Sequence, residues 1–189
     1  MTVVDTIYDD FRDAAKILRE ARELSLQIML EANLRKALLL SAASYFEIQL
    51  TREVQSFTDE VTSGNVLIAT LVQQKAISRQ YHAWFDWEKS NANKFFGLFG
   101  PTFKDHMASV LSESPELTED IKAFLEIGNR RNLLVHSDYA SYFIDKTPDE
   151  IYVLYQSAIR FVGRIGQELR ACSVSNAAAA VEAANEPDE

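Results

Sequence analysis

The chain has 189 residues, 47% of them apolar, and a net charge of −9. That length and apolar content suit one domain with its own core and exclude a disordered chain. The acidic balance argues against a broad electrostatic grip on nucleic acid, with no DNA partner expected, while leaving room for a local basic cleft. A single cysteine, Cys172, excludes an internal disulfide. No charged-then-apolar leader and no apolar run of membrane-spanning length is present, so the expectation is a cytoplasmic protein with no membrane partner.

Only 6 Gly and 4 Pro punctuate the chain, and long runs are rich in Ala, Leu, Glu, Arg and Lys, which predicts an all-α fold. A first helix is expected over residues 4–30, with the stripe Ile7, Phe11, Ala14, Ala15, Leu18, Ala21, Leu24, Ile28. A second is expected over 32–58, with a kink or a continuous helix equally open at residues 31–33. Ser63-Gly64-Asn65 stops it and starts a third helix over 66–80. Residues 81–101 are aromatic and irregular without period-two alternation, which predicts short helical turns packed into the core. A short helix over 103–111 follows. Ser114-Pro115-Glu116 looks like a cap with proline at the first helical position. Thr147-Pro148-Asp149-Glu150 has the spacing of a capping box and opens a last helix over 148–172. Residues 1–172 are thus expected to form the domain, and the low-complexity acidic stretch 173–189 a disordered tail.

The stretch "GNRRNLLVH", Gly128 to His136, holds the chemistry. On a helix advancing about 100° per residue, Ile121, Phe124, Leu125 and Gly128 share one arc. Arg131, Asn132, Val135 and His136 continue that arc or its shoulders, and Arg130 falls opposite. Three polar side chains on an inner face are costly unless they meet partners or a wet cleft. Leu133 and Leu134 point away from the arc, which calls for a second surface, from a neighbouring helix or a partner subunit.

Arginine offers a permanently charged planar fork for phosphate oxygens, and histidine moves protons near neutral pH. Together they suit RNA cleavage in which the ribose 2′-OH is the nucleophile and no metal is required. The three histidines, His82, His106 and His136, have no H-x3-H spacing, so no metal site and no cofactor are expected.

"RNLLVH", Arg131 to His136, resembles the R-x4-H signature of the HEPN superfamily. "ALLLSAASYFE" (Ala37 to Glu47), "YHAWFDW" (Tyr81 to Trp87), "NANKFFGLFG" (Asn91 to Gly100) and "FLEIGNRRNLLVH" (Phe124 to His136) resemble its RiboL-PSP-type branch in the same order. The resemblance implies an all-α HEPN-type helical bundle with extra short helices, paired as a homodimer with two motifs facing one cleft. It implies an endoribonuclease of toxin or defence-effector type, leaving 2′,3′-cyclic phosphate and 5′-OH ends. Arg131 would then stabilise the transition state, His136 would serve as acid/base, Asn132 would orient the pair, and Glu47 would add a polar group at the cleft. The implied partners are RNA, such as a tRNA loop, and an antitoxin or defence-system protein. Some members with a nucleotidyltransferase antitoxin carry tyrosine two residues after the histidine; Asp138 stands there, with Tyr139 next, a departure from that pattern.

Lys94 and Arg130, with Arg79 and Lys104, are candidates to line an RNA path. Glu47 is alternatively a structural acid paired to Arg52 or Arg131. Asp86, Asn91 and Asn93 read as local caps and turn formers, Asp86 also as a minor site candidate, and His82 and His106 as bystanders. Two further functional classes fit the same residues: a non-catalytic HEPN dimerisation or partner-binding module, and a cleft that binds a nucleotide without cutting it.

Overall fold

A computed structural model describes the chain over residues 1–184, and its side chains over residues 1–175. Helix α1, Val3–Glu20, begins at a capping box. The Thr2 hydroxyl accepts the Asp5 N–H at 3.3 Å, and the Asp5 carboxylate accepts the Thr2 N–H at 2.6 Å. Val4, Tyr8, Phe11 and Ala15 form its buried stripe.

The first break comes earlier than the expected 31–33. Arg22 adopts a left-handed φ of 63°, and the Glu23 N–H reaches back to the Leu18 carbonyl at 2.9 Å while the Arg22 N–H bonds Arg19. That is a Schellman stop with arginine in the position glycine usually takes, so no glycine announces it. Helix α2, Leu24–Val61, then runs 38 residues without interruption. Its end follows the sequence: Ser63 and Gly64 take φ of 51° and 73°, and the Asn65 side chain caps the Ile68 N–H.

Helix α3, Val66–Val72, passes into one π-helical turn, Gln73–Ile77. Short helices α4, Tyr81–Trp84, and α5, Asn93–Gly97, lie in the aromatic segment. Helix α6 is Pro101–Glu113, α7 is Pro115–His136 and α8 is Pro148–Ala184. The capping box of α8 forms as expected, with Glu150 accepting the Thr147 N–H at 2.7 Å. Ser114 stands at the N-cap of α7, but its side chain makes no capping bond. Helix α8 continues to Ala184 rather than ending near residue 172; residues 185–189 of the expected tail lie outside the described residues. Among the described residues there is no strand.

Helices α2, α7 and α8 pack on one another and carry the core, with α1 against α2. Phe124 of α7 stands at its centre, 5.6 Å from Phe46 of α2 and 5.2 Å from Phe161 of α8, ring to ring. Burying such a ring contributes about 1.5–3 kcal/mol. Two buried acids are paired: Asp120 with the fork of Arg160, and Glu168 with His106 and Arg164. Burial pushes the Glu168 carboxyl up, but the hydrogen bonds from Arg164 and His106 outweigh it and hold the group below its ordinary value. His106 is thereby a structural partner of α8.

Candidate ribonuclease site at the end of helix α7

The site lies where α7 leaves the core. Ile121, Phe124, Leu125 and Gly128 are buried on the expected arc. Leu134, which points away from that arc, is fully buried on one face with Ala123 and Ile127, because α7 is covered by both α2 and α8. The second surface that Leu134 required is therefore supplied by the chain itself. Leu133 stays 50% exposed. Val135, central on the core arc, is 44% exposed, so the covered face of α7 narrows to the Leu134 side in its last turn. Tyr139 and Phe143 in the following loop are exposed too.

That loop is fastened to α2. The Lys36 ammonium donates to the Tyr139 carbonyl at 2.5 Å, and Arg35 donates to the Ile144 carbonyl at 3.2 Å. On the other side, the aromatic segment closes over α7. The Trp87 ring lies so close to Gly128 that a Cβ built there would stand 2.0 Å from the ring. The indole N–H of Trp87 donates to the His82 carbonyl at 2.9 Å, which fixes His82 relative to α7. The other aromatics of the segment pack into the core: Tyr81, Trp84, Phe85, Phe95 and Phe96 are buried and Phe99 partly so.

The two neighbouring arginines separate clearly. Arg130 is held by Glu126 at 2.8 Å and by Asp145, so its fork is occupied. Arg131 meets no carboxylate within ion-pair distance among the described residues, and its guanidinium donates to the Asn132 side-chain oxygen at 3.1 Å. Arg131 and Asn132 line a narrow crevice with Tyr81, His82, Trp87 and Gly128. Asn132 and Trp87 also line the adjoining cleft, about 690 Å³, together with His136, Asn129, Lys94 and Asp86. Lys94 is exposed there, and Asp86 is engaged by Lys89 at 3.2 Å. The Asn91 side chain caps the Asn93 N–H at 3.2 Å, a local turn as expected.

Glu47 of α2 also reaches this place. Its partner is His82, with Nε2 and Oε2 3.9 Å apart, rather than Arg52 or Arg131. His82 is pulled below its ordinary value, first by partial burial and then by the positive charges of Arg131 and His136, against the opposing pull of Glu47. The Tyr81 phenol is pushed far up by burial and by Glu47. His82 thus stands in the field of the motif, although its sequence position gave no periodic link to α7. The available signals were its place in the aromatic block and a lone glycine, Gly128, inside an apolar helical arc, which marks close approach of another group.

The RiboL-PSP-HEPN family model matches residues 5–171. The chain belongs to this family. HEPN domains are often ribonucleases. No curated protein and no solved structure matched the chain. Among the described residues of this HEPN domain, no helix is long and apolar enough to cross a membrane.

Proposed function

We propose that this HEPN domain is a metal-independent endoribonuclease, acting as a toxin or defence effector, that leaves 2′,3′-cyclic phosphate and 5′-OH ends. The observation that carries the reading is the free fork of Arg131. Arg130 takes Glu126 and Asp145, and Glu47 is paired with His82, which leaves Arg131 with no ion-pair partner among the described residues, bonded to Asn132 in a crevice that adjoins the cleft of His136. An arginine without an acidic partner is suited to hold a phosphate and to stabilise the extra charge of the phosphorane. His136, exposed in the adjoining cleft, carries the proton transfer, and Asn132 holds one arm of the fork.

Two copies pair across the end of α7, where Leu133, Val135 and Phe143 are exposed. An isologous pairing there would bring two copies of the motif to one cleft. The RNA is gripped locally rather than by a general field, which fits a net charge of −9 and a narrow substrate such as a tRNA loop.

The test is to incubate purified protein with total RNA in chelator and sequence the 5′-OH ends. Defined cuts with wild type and none with folded His136→Ala support the reading. Equal cutting by His136→Ala, or cutting abolished by chelator, overturns it. Saturable nucleotide binding without turnover would make the cleft a binding site instead.

A further inference from the structure

We infer that His82 is a second catalytic residue of this site, so that one chain supplies both proton-transfer groups. The inference rests on the ribonuclease reading above. Cleavage through the 2′-oxygen needs two groups. One takes the proton from the 2′-OH, and the other gives a proton to the 5′-oxygen as the P–O5′ bond breaks. Helix α7 supplies one imidazole, His136. The aromatic segment lays a second imidazole against the same helix, because Trp87 is seated on Gly128 and holds the His82 carbonyl.

The surroundings of His82 divide the roles. The titratable and charged groups facing it are Tyr81 on its own segment, Glu47 on α2, and Arg131 and His136 on α7. Burial and the two cations favour the neutral ring, which is the form a base requires; Glu47, close to Nε2, supports the cation once a proton has arrived. His82 and Arg131 share the crevice, His136 lines the cleft beside it, and Asn132 and Trp87 belong to both. A phosphate on the Arg131 fork would therefore have one imidazole on either side of the Asn132–Trp87 boundary.

The step balances as follows. Neutral His82 takes the 2′-OH proton, and O2′ bonds to phosphorus. The P–O5′ bond breaks, its electron pair stays on O5′, and protonated His136 gives that oxygen a proton. The products are the 2′,3′-cyclic phosphate and the 5′-OH. Solvent then removes the proton from His82 and returns one to His136.

The experiment measures kcat and KM against pH for wild type and His82→Gln on one RNA that wild type cuts, with thermal melts of both. In parallel, the ring protons of the three histidines are titrated by NMR. The expected result is a loss of about 10²–10⁴-fold in kcat with KM within a few fold. The acidic limb of the wild-type profile should match the His82 ring midpoint, below the ordinary value of about 6.5, and should vanish in His82→Gln. A slower variant that keeps the wild-type acidic limb has lost only a structural contact, and that result overturns the assignment while leaving the ribonuclease reading in place. If the variant cuts too slowly for a profile, the wild-type comparison decides: a His82 midpoint away from the acidic limb overturns the assignment. A wild type that cuts no RNA overturns both.

Discussion

Trp87 and Gly128 are in such close contact that the tryptophan ring occupies the space where any other residue's Cβ would be. The contact fixes the site as well as the core, since the same indole holds the His82 carbonyl while its ring touches the helix that carries Arg131. Gly128→Ala must push the ring away. Overpacking of this kind costs about 1–3 kcal/mol, and alanine's better helix propensity offsets only about 1 kcal/mol of it. The expected outcome is a melting temperature lower by a few degrees, altered tryptophan fluorescence and at least tenfold slower RNA cleavage. An unchanged spectrum would show that the ring is not seated there.

Arg130 and Arg131 differ in what they hold, so their substitutions should separate. Arg130 is committed to Glu126 and Asp145, a partly exposed cluster, and Arg130→Ala should cost about 1 kcal/mol or less in a thermal melt. Cleavage should stay within a few fold, which withdraws Arg130 from the RNA path. Arg131→Ala should melt near the wild-type temperature yet lose about 10²–10³-fold in kcat, the scale of one lost transition-state donor. Arg131→Lys should not restore it, because a point ammonium lacks the planar fork. A full rescue by lysine would mean that only charge matters at this position.

Helical phase put Arg131 on the inner face and Arg130 opposite it, while residue type at cap and turn positions marked the capping box at Thr147 and the stop at Ser63-Gly64-Asn65. Each is a local feature, set by residues within one or two helical turns. The early break at Arg22 was not legible, because the left-handed residue there is one whose side chain normally disfavours that conformation. The need for a surface over Leu134 was legible, but a helix projection shows faces and not whether a neighbouring helix or another subunit covers them. His82 and Glu47 come from segments about 50 and 85 residues upstream of the motif, and only tertiary packing brings them to Arg131. The Glu47 position came from family resemblance, while its partner did not.

The exposed apolar residues at the end of α7 predict the oligomeric state. Val135 lies on the core arc yet is half exposed, as is Leu133, and Phe143 of the following loop is largely exposed. If two copies cover this end, Val135→Asp places a charge in an apolar contact and should raise the dimer dissociation constant at least about tenfold. Sedimentation at several concentrations reads this without reference to activity, which the new acid would disturb for other reasons. A variant that remains as dimeric as wild type would place the pairing on another face.

Glu47 provides a test with a definite sign. Its carboxylate favours the protonated form of His82, whereas burial, Arg131 and His136 favour the neutral form and prevail. Glu47→Gln removes the only one of these influences that raises the His82 value, so the ring midpoint should fall further below about 6.5. If His82 is the base, the acidic limb of kcat/KM must move to lower pH by the same amount. Activity at acidic pH should then be partly preserved relative to wild type, even though the plateau rate drops through weaker support of the cation. A limb that moves up, or a His82 midpoint that does not move, would contradict the pairing of Glu47 with His82. Because Glu47 is itself partly exposed, salt should weaken the effect, and the shift measured at low ionic strength should exceed that at high.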